Sequence, residues 1–323
     1  MRKIAYKEFP SFRRFGVELE VSNNLSKQRI GKVLKKFESK SENSREVIIT
    51  PGLEGWAQTK NNDYWHVKFD RTCGPLGKNL DYGWEIASFI GNGINDINHI
   101  SRLARELDAA GSEVNLNCGF HVHVEVKDYT TYDMGILLAR WMKIEDLLFS
   151  ICDKSRSNNE YCTSIRRIFR KNWASYLKDP EYLWDILRPY DLGDHNNHSK
   201  KVTLNTVGFA TQLSIKSFSR NTVELRMPEC LLDETHVKNW IRLIVNFVDF
   251  SKNNPKMPDD FESCHSIEEF LVNLGLSGEK DLFIVDHDLF MTKIWLLKKI
   301  ISCSKNELMI SQAKKLLEFV SGI

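Results

Sequence analysis

Three short segments alternate apolar residues with ionisable ones, and this alternation constrains the fold more than any other feature. In GVELEV (16–21), GFHVHVEV (119–126) and NTVELRM (221–227), every second residue is Val, Leu, Phe or Met. Successive side chains of a β-strand point to opposite faces, so each segment predicts a strand with one apolar and one polar face. We therefore expect a sheet that packs one face on a hydrophobic core.

The polar faces of these strands carry an unusual set of side chains. They are Glu18 and Glu20, His121 and His123, and Glu224 and Arg226. A solvent-exposed face is the ordinary explanation of such alternation, but exposed faces usually carry Lys, Thr, Ser and Gln. Two further acids, Asp70 and Glu85, belong to the strand-like segments YWHVKFD (64–70) and GWEIASF (83–89). This composition favours a functional face over a merely solvated one.

Convergence of these acids on one face would require cations. Two carboxylates about 4 Å apart repel by about 4 kcal/mol at an effective dielectric constant of about 20. If Glu18, Glu20, Glu85 and Glu224 meet, bound cations must offset this repulsion. Ligand sets rich in oxygen select Mg²⁺ or Mn²⁺ and can include one His. The planar fork of Arg226 suits a phosphate or a carboxylate, so the residues predict a metal site that acts on an anion.

The rest of the chain predicts an α+β domain followed by helices. Further helical patterns cover 96–110, 133–152 and 234–250, and a strand-like stretch covers 202–216. The linker SKNNPKMPDD (251–260) precedes a helical tail, so we expect a catalytic domain over 1–250 and a helical extension packed on it over 251–323. The chain contains neither G-x-G-x-x-G nor a Walker sequence, which disfavours a Rossmann or P-loop fold.

Charge and cysteine content argue against several classes of protein. The 45 basic and 43 acidic residues nearly cancel, so no electrostatic footprint of nucleic-acid or membrane binding is present. The seven cysteines are scattered without a C-x-x-C pair, which disfavours a disulfide framework or a structural zinc site. No segment has the apolar pattern of a signal peptide or approaches the roughly 18 apolar residues of a membrane helix. We expect a cytoplasmic protein.

The ordered segments GVELEV, VKFDRTCG, GWEIAS, NCGFHVHV and RNTVELR resemble the amidoligases of the glutamine synthetase and glutamate–cysteine ligase superfamily. The resemblance covers roughly residues 14–250. It implies a glutamine-synthetase-like curved antiparallel β-sheet with helices packed on its convex face. It also implies an ATP-dependent carboxylate–amine ligase that forms an acyl phosphate and releases ADP and phosphate.

The resemblance also implies roles for individual residues. Glu18 and Glu20 would bind different metal ions, and Asp70 and Glu85 would complete one metal site. The motif Asn-x-Gly-x-His-x-His is matched over residues 117–123, where the first His, His121, would be a metal ligand and the second, His123, would face nucleotide or substrate. Glu224 would join the His121 site, and Arg226 would hold the γ-phosphate or the acyl phosphate. Lys68, Lys201 and Arg220 are the further candidates for nucleotide binding.

The implied cofactors are ATP and two or more Mg²⁺ or Mn²⁺ ions. The implied partners are a small-molecule or peptide carboxylate and an amine, without nucleic acid or membrane, and a homo-oligomer stays open. Cys118 replaces a common Ser, Asp70 replaces a Glu, and the ammonia-site acid of glutamine synthetase has no counterpart, which disfavours glutamine synthesis itself. Two alternatives also stay open: a metal-dependent hydrolase, and a catalytically inactive nucleotide- or metal-binding module on the same fold.

Overall fold

The computed structural model describes residues 13–50, 63–74, 82–168, 179–181, 184, 201–209, 221–276 and 286–321. The chain forms two compact units. The first unit consists of Phe12–His123 and Met227–Ile241, and the second of Met1–Ser11, Val124–Arg226 and Arg242–Ile323. Both units therefore combine segments that are distant in the sequence.

The first unit is built on a mixed β-sheet. Its strands are β1 (Arg14–Ser22), β2 (Glu46–Ile49), β3 (Tyr64–Asp70), β4 (Gly83–Ala87), β5 (Gly91–Asn92) and β6 (Phe120–Glu125), the last of which continues into the second unit. Their order is β2-β3-β4-β1-β6, with β5 paired to the start of β1. Strand β4 pairs antiparallel with both β1 and β3, whereas β2 pairs parallel with β3.

The parallel pair corrects the prediction of a wholly antiparallel sheet. An antiparallel pair can be closed by a two-residue turn, but a parallel pair needs a connection of about a dozen residues or more. Residues 50–63 separate β2 from β3 and supply that length. Strand β2 itself was not predicted, because its four residues, EVII, are too few and do not alternate apolar and polar side chains. The predicted α+β class is confirmed.

Helices cover the apolar face of this sheet. Val17, Leu19 and Val21 on β1 are at most 2% exposed, as the alternation predicted. Helix α1 (Lys27–Glu38) contacts β2 and β3, and helix α2 (Gly93–Ala109) contacts α1 and β5. The close approach of α1 requires Gly31, because a Cβ atom at this position would overlap Cδ1 of Ile49. The opposite face of the sheet carries the polar residues.

The second unit is mainly helical. Its elements are α3 (Thr131–Ile151), α4 (Lys154–Ser157), α5 (Ile165–Ile168), β7 (Leu204–Asn205), β8 (Thr222–Leu225), the second part of α6 (Glu234–Asn253), α7 (Ile267–Asn273), α8 (His287–Cys303) and α9 (Glu307–Ser321). Helix α3 is buried on nearly all sides and contacts α7 and α8. It begins with a capping box between Thr130 and Asp133, which satisfies the first free N–H groups of the helix.

Most predicted elements are present, with one correction. Each of the six predicted strand segments overlaps a strand, and α2, α3 and α6 match the three predicted helices to within a few residues. The predicted strand 202–216 is wrong at residues 207–209, which are helical, while 210–216 lie outside the described residues. The cause is Asn205, whose Oδ1 accepts a hydrogen bond from Val207 N at 2.9 Å and turns the chain as β7 ends. Across the described ranges, every helix falls short of the length and apolarity needed to cross a membrane.

Candidate active site

The strand register places acidic side chains from different strands on the same face of the first unit. Glu20 on β1 is the cross-strand partner of Glu85 on β4, and Glu85 is the partner of Lys68 on β3. Directly paired residues project from the same face. Asp70 lies two pairs further along β3, opposite Gly83, and therefore shares this face. Three of the predicted metal ligands and one predicted nucleotide contact are thus brought together.

The two histidines of β6 lie against the two glutamates of β1. Nδ1 of His121 is 3.1 Å from Oε2 of Glu18, and its Nε2 is 3.6 Å from Oε1 of Glu20. Nε2 of His123 is 3.3 Å from Oε1 of Glu18. The predicted Glu-x-Glu and His-x-His pairs therefore form one cluster, in which Glu20 and His121 are nearly inaccessible to solvent.

The ionisation of Glu18 is governed by these histidines. Burial by itself would raise the pKa of Glu18. The charge of His123 and hydrogen bonds with both His121 and His123 outweigh burial, and they hold the pKa of Glu18 well below its usual range. Glu18 is therefore a fixed anion in a largely buried position, which is what a ligand for a divalent cation requires.

Glu85 lies in the opposite electrostatic situation. Burial and the negative charge of Glu18 raise the pKa of Glu85 well above its usual range, although Nζ of Lys68 lies only 2.6 Å from Oε1 of Glu85. The ion pair with Lys68 thus offsets only part of the repulsion. The face carries more negative charge than its own lysine can balance.

A third group contains a residue that the sequence analysis did not single out. Glu20, Asp70 and Cys73 each offer a ligand atom, and these atoms all lie within 4.8 Å of one another. Asp70 is oriented by Thr72, whose backbone N and Oγ1 both donate to Oδ1 at 2.6 Å. The sequence signal that could have identified Cys73 is its position three residues after Asp70. A hydrogen bond with Cys118, followed by burial, raises the pKa of Cys73, so the thiol stays protonated unless a cation displaces its proton.

The turn before β6 is fixed by its asparagines. Nδ2 of Asn117 donates to the carbonyl oxygen of Gly74 at 2.9 Å, and Nδ2 of Asn115 donates to that of Cys73 at 2.8 Å. The backbone N of Gly119 in turn donates to Oε2 of Glu20 at 2.5 Å. Asn117 therefore acts in this structure as a support that aligns the turn with Glu20 and Cys73.

The remaining predicted residues lie in the second unit. Glu224 and Arg226 form an ion pair, and Oε2 of Glu224 also accepts a hydrogen bond from Nδ2 of Asn205 at 2.8 Å. Nε of Arg226 donates to the carbonyl oxygen of Tyr161 at 3.3 Å. Nζ of Lys201 lies 4.3 Å from the centre of the Tyr161 ring. The Arg226 guanidinium and the Lys201 ammonium are thus associated with one and the same residue.

Two predictions concern residues beyond these contacts. Arg220, a predicted phosphate contact, lies outside the described residues. The predicted participation of Glu224 in the His121 metal site links residues of different units and stays a prediction.

Comparison with known protein families identifies a match to most of the chain. A family model described as "Putative amidoligase enzyme" matches residues 11–248, close to the range of the resemblance noted in the sequence. No curated protein matches the chain significantly. The matched range contains the acidic face of the first unit as well as Glu224 and Arg226.

Proposed function

This chain belongs to the family of putative amidoligase enzymes, and from that premise we propose that it is an ATP-dependent carboxylate–amine ligase with a glutamine-synthetase-like sheet. A substrate carboxylate attacks the γ-phosphorus of ATP, the bond to the β-phosphate oxygen breaks, and ADP leaves. The amine then attacks the acyl carbon of the acyl phosphate, and phosphate leaves with formation of the amide. The observation that carries the proposal is the clustering of carboxylates and imidazoles on one face of the first unit.

The residues of this face fit divalent cations. Glu20, Asp70 and Cys73 present ligand atoms to a common centre, and Glu18 stays ionised beside His121. The proposed metal ligands are Glu18, Glu20, Asp70, Glu85, His121 and Glu224, and we propose Cys73 as a further one. When bound, Mg²⁺ or Mn²⁺ would neutralise the negative charge of the nucleotide phosphates. A sulfur ligand among oxygens favours Mn²⁺ over Mg²⁺, because Mg²⁺ is the harder ion.

Arg226 is the proposed contact of the transferred phosphoryl group. Phosphoryl transfer depends mainly on positioning and on stabilisation of charge, rather than on covalent chemistry by the protein. The guanidinium of Arg226 is anchored by Glu224 and by the Tyr161 carbonyl, so its direction is set before a substrate binds. A charged donor that needs no reorganisation is the kind of group that stabilises a developing oxyanion.

The other proposed roles are those of one histidine and two lysines. His123 contacts Glu18 and is the proposed neighbour of nucleotide or substrate. Lys68 is a proposed nucleotide contact, and its ion pair with Glu85 supports a further role in the charge balance of the face. Lys201 is the proposed second phosphate contact beside Arg226. The proposed substrates are a small-molecule or peptide carboxylate and an amine.

The experiment that tests the proposal identifies the nucleotide product. The protein is incubated with ATP, Mn²⁺ or Mg²⁺ and pools of acids and amines, with the acid carboxylates labelled with ¹⁸O. We expect ADP, amide and phosphate that carries one ¹⁸O atom from the acid. Arg226→Ala should suppress phosphate release while the pools still bind.

Other products would overturn the proposal in distinguishable ways. AMP and pyrophosphate would indicate adenylation, and amide formation with unlabelled phosphate would exclude an acyl phosphate. Amide cleavage without ATP would indicate a metal-dependent hydrolase. Binding of metal and ATP without any turnover across the pools would favour the inactive module. Ser26→Ala, which removes the cap of α1 in the first unit and lies outside the proposed site, serves as a control for general destabilisation.

A further inference from the structure

A buried carboxylate in the second unit belongs to none of the proposed metal or nucleotide sites. Glu145 lies on α3 and is fully inaccessible to solvent. Its Oε2 accepts hydrogen bonds from Ser164 Oγ at 2.6 Å and Arg166 N at 3.0 Å. Its Oε1 accepts from Ile165 N at 2.9 Å, from Trp141 Nε1 at 3.2 Å, and from the Thr203 hydroxyl. One carboxylate therefore organises three separate stretches of chain.

The chemistry of this cluster indicates a specific role for the charge. None of the five donors is a cation: two are hydroxyls, one is an indole and two are backbone amides. Burying an anion among neutral groups is costly, and an apolar side chain at position 145 would pack without that cost. Neutral donors directed at both carboxylate oxygens offset the cost only in this arrangement. The carboxylate is thus suited to fixing the positions of the segments that carry the donors.

Outside α3, Glu145 holds two segments, one at Thr203 and one at residues 164–166, and both are connected to Arg226. Along the first route, the Thr203 hydroxyl donates a hydrogen bond to Glu145, while the Thr203 carbonyl oxygen accepts one from Arg226 N at 2.9 Å. The pairing of β7 with β8 continues this contact through Asn205 and Glu224. The backbone of Arg226 is thereby tied to α3 through a single residue.

Along the second route, Glu145 holds the segment that receives the side chain of Arg226. Ser164, Ile165 and Arg166 all donate to Glu145, and Tyr161, a few residues earlier, accepts the hydrogen bond from Arg226 Nε at 3.3 Å. The two routes are themselves joined, because Thr203 N donates to the carbonyl oxygen of Thr163 at 3.0 Å. The backbone and the guanidinium of Arg226 are therefore both connected, through hydrogen bonds, to the Glu145 carboxylate.

We propose that Glu145 is a positioning residue that sets the orientation of the Arg226 guanidinium. The structural part of this inference stands on the contacts of Glu145 alone. Its consequence for catalysis, the alignment of Arg226 with the γ-phosphate, rests on the proposed function. Glu145 itself touches neither substrate nor metal in this scheme.

The first test measures the Arg226 side chain directly, without nucleotide. Protein labelled with ¹⁵N-arginine gives an Nε–Hε signal for Arg226, which is assigned by its loss in Arg226→Lys. Its hydrogen exchange is compared in wild type, Glu145→Gln and Thr203→Val. Gln cannot accept at both of its terminal atoms, and Val lacks only the hydroxyl of Thr203. We expect exchange about tenfold faster in both variants, the effect of one weakened hydrogen bond of typical strength.

The control is Glu38→Gln. Glu38 is also a buried carboxylate, and it accepts hydrogen bonds from Trp65 Nε1 at 2.6 Å and Arg45 N at 2.7 Å in the first unit. It should leave the Arg226 exchange rate unchanged. The inference is overturned if the Arg226 rate is unchanged in folded Glu145→Gln, or if Glu38→Gln raises it equally. If Glu145→Gln does not fold, Thr203→Val replaces it, and an unchanged Arg226 exchange rate in that variant overturns the inference.

The second test separates this inference from the proposed function. Affinities for ATP and ADP are measured by calorimetry with Mn²⁺, and their ratio isolates the γ-phosphate. We expect Arg226→Ala and Glu145→Gln each to lower the ATP-to-ADP affinity ratio about tenfold, and the double variant to lower it no further. An unchanged ratio in Arg226→Ala contradicts the proposed role of Arg226, while faster Hε exchange would still support the positioning role of Glu145.

Discussion

Glu20→Gln offers the sharpest test of the proposed metal-binding face, because it should affect stability in opposite directions with and without metal. In the metal-free protein, a carboxylate oxygen of Glu20 lies within 4.8 Å of one from Asp70. Two charges at that distance repel by about 3.5 kcal/mol at an effective dielectric constant of 20. Gln removes this repulsion and is nearly identical to Glu in shape, so no cavity forms.

The cost of the substitution is small by comparison. The amide oxygen of Gln can still accept the hydrogen bond from Gly119 N, and its NH₂ group can donate to Nε2 of His121, which now faces Oε1 of Glu20 at 3.6 Å. The loss of charge weakens the Gly119 hydrogen bond by about 1 kcal/mol. We therefore expect metal-free Glu20→Gln to be more stable than wild type by about 1–2 kcal/mol, which raises Tm by about 2–6 °C.

The metal response should change in the other direction. A ligand at 100 times its Kd stabilises a folded protein by about 2.7 kcal/mol. Wild type should therefore gain stability when Mn²⁺ is added, and Glu20→Gln should gain little. Thermal unfolding is followed by calorimetry in EDTA and across a Mn²⁺ titration. A variant that is less stable than wild type in EDTA, and that keeps the full Mn²⁺ response, would show that Glu20 is a structural residue rather than a ligand.

Three further predictions concern other residues. His121→Ala should abolish most anomalous Mn²⁺ signal in soaked crystals, whereas His123→Ala should leave it largely intact and reduce turnover; equal occupancy in the two variants would refute this distinction. Cys73→Ser should weaken Mn²⁺ binding about tenfold in calorimetry with little change for Mg²⁺, since only the softer ion benefits from sulfur; a parallel loss for both ions would contradict a ligand role. Burial opposes ionisation of Glu38, but hydrogen bonds with His99 and other neighbouring groups outweigh burial and lower the pKa of Glu38. The Glu38 carboxylate therefore stabilises the fold at pH values above the usual pKa of a Glu side chain. This contribution is lost as the pH falls through the lowered pKa. Glu38→Gln should thus cost about 2 kcal/mol in urea unfolding at pH 7, and the difference from wild type should shrink towards pH 3; a gap that does not depend on pH would exclude the carboxylate as its source.

The alternating pattern was enough to predict which residues share the polar face, because the period of a strand is fixed by its backbone. It could not predict the register. That Glu20 faces Glu85, and Glu85 faces Lys68, depends on how the connections between strands are closed, and no local pattern encodes this. The sequence accordingly identified the carboxylates as a group but did not show that a lysine neutralises one of them.

Cys73 and Glu145 were missed for different physical reasons. Cys73 follows a strand rather than belonging to it, so the direction of its side chain depends on a turn and not on a period. Glu145 appears in the sequence as an ordinary polar residue of a helix. Its importance comes from the burial of α3 on nearly all sides, which arises only when distant segments pack around that helix.

The discontinuous first unit has a consequence for the order in which this protein can fold during its synthesis. The acidic strands β1, β3 and β4 and the histidines of β6 precede residue 124, but Phe120 N donates to the carbonyl oxygen of Pro228 at 3.0 Å, and Cys230 N donates to that of Cys118 at 3.0 Å. These contacts close a loop of about a hundred residues, and long-range pairing of this kind slows folding. A ribosome must therefore release the chain beyond Cys230 before β6 gains these contacts, and by that point Glu224 and Arg226 have also been synthesised.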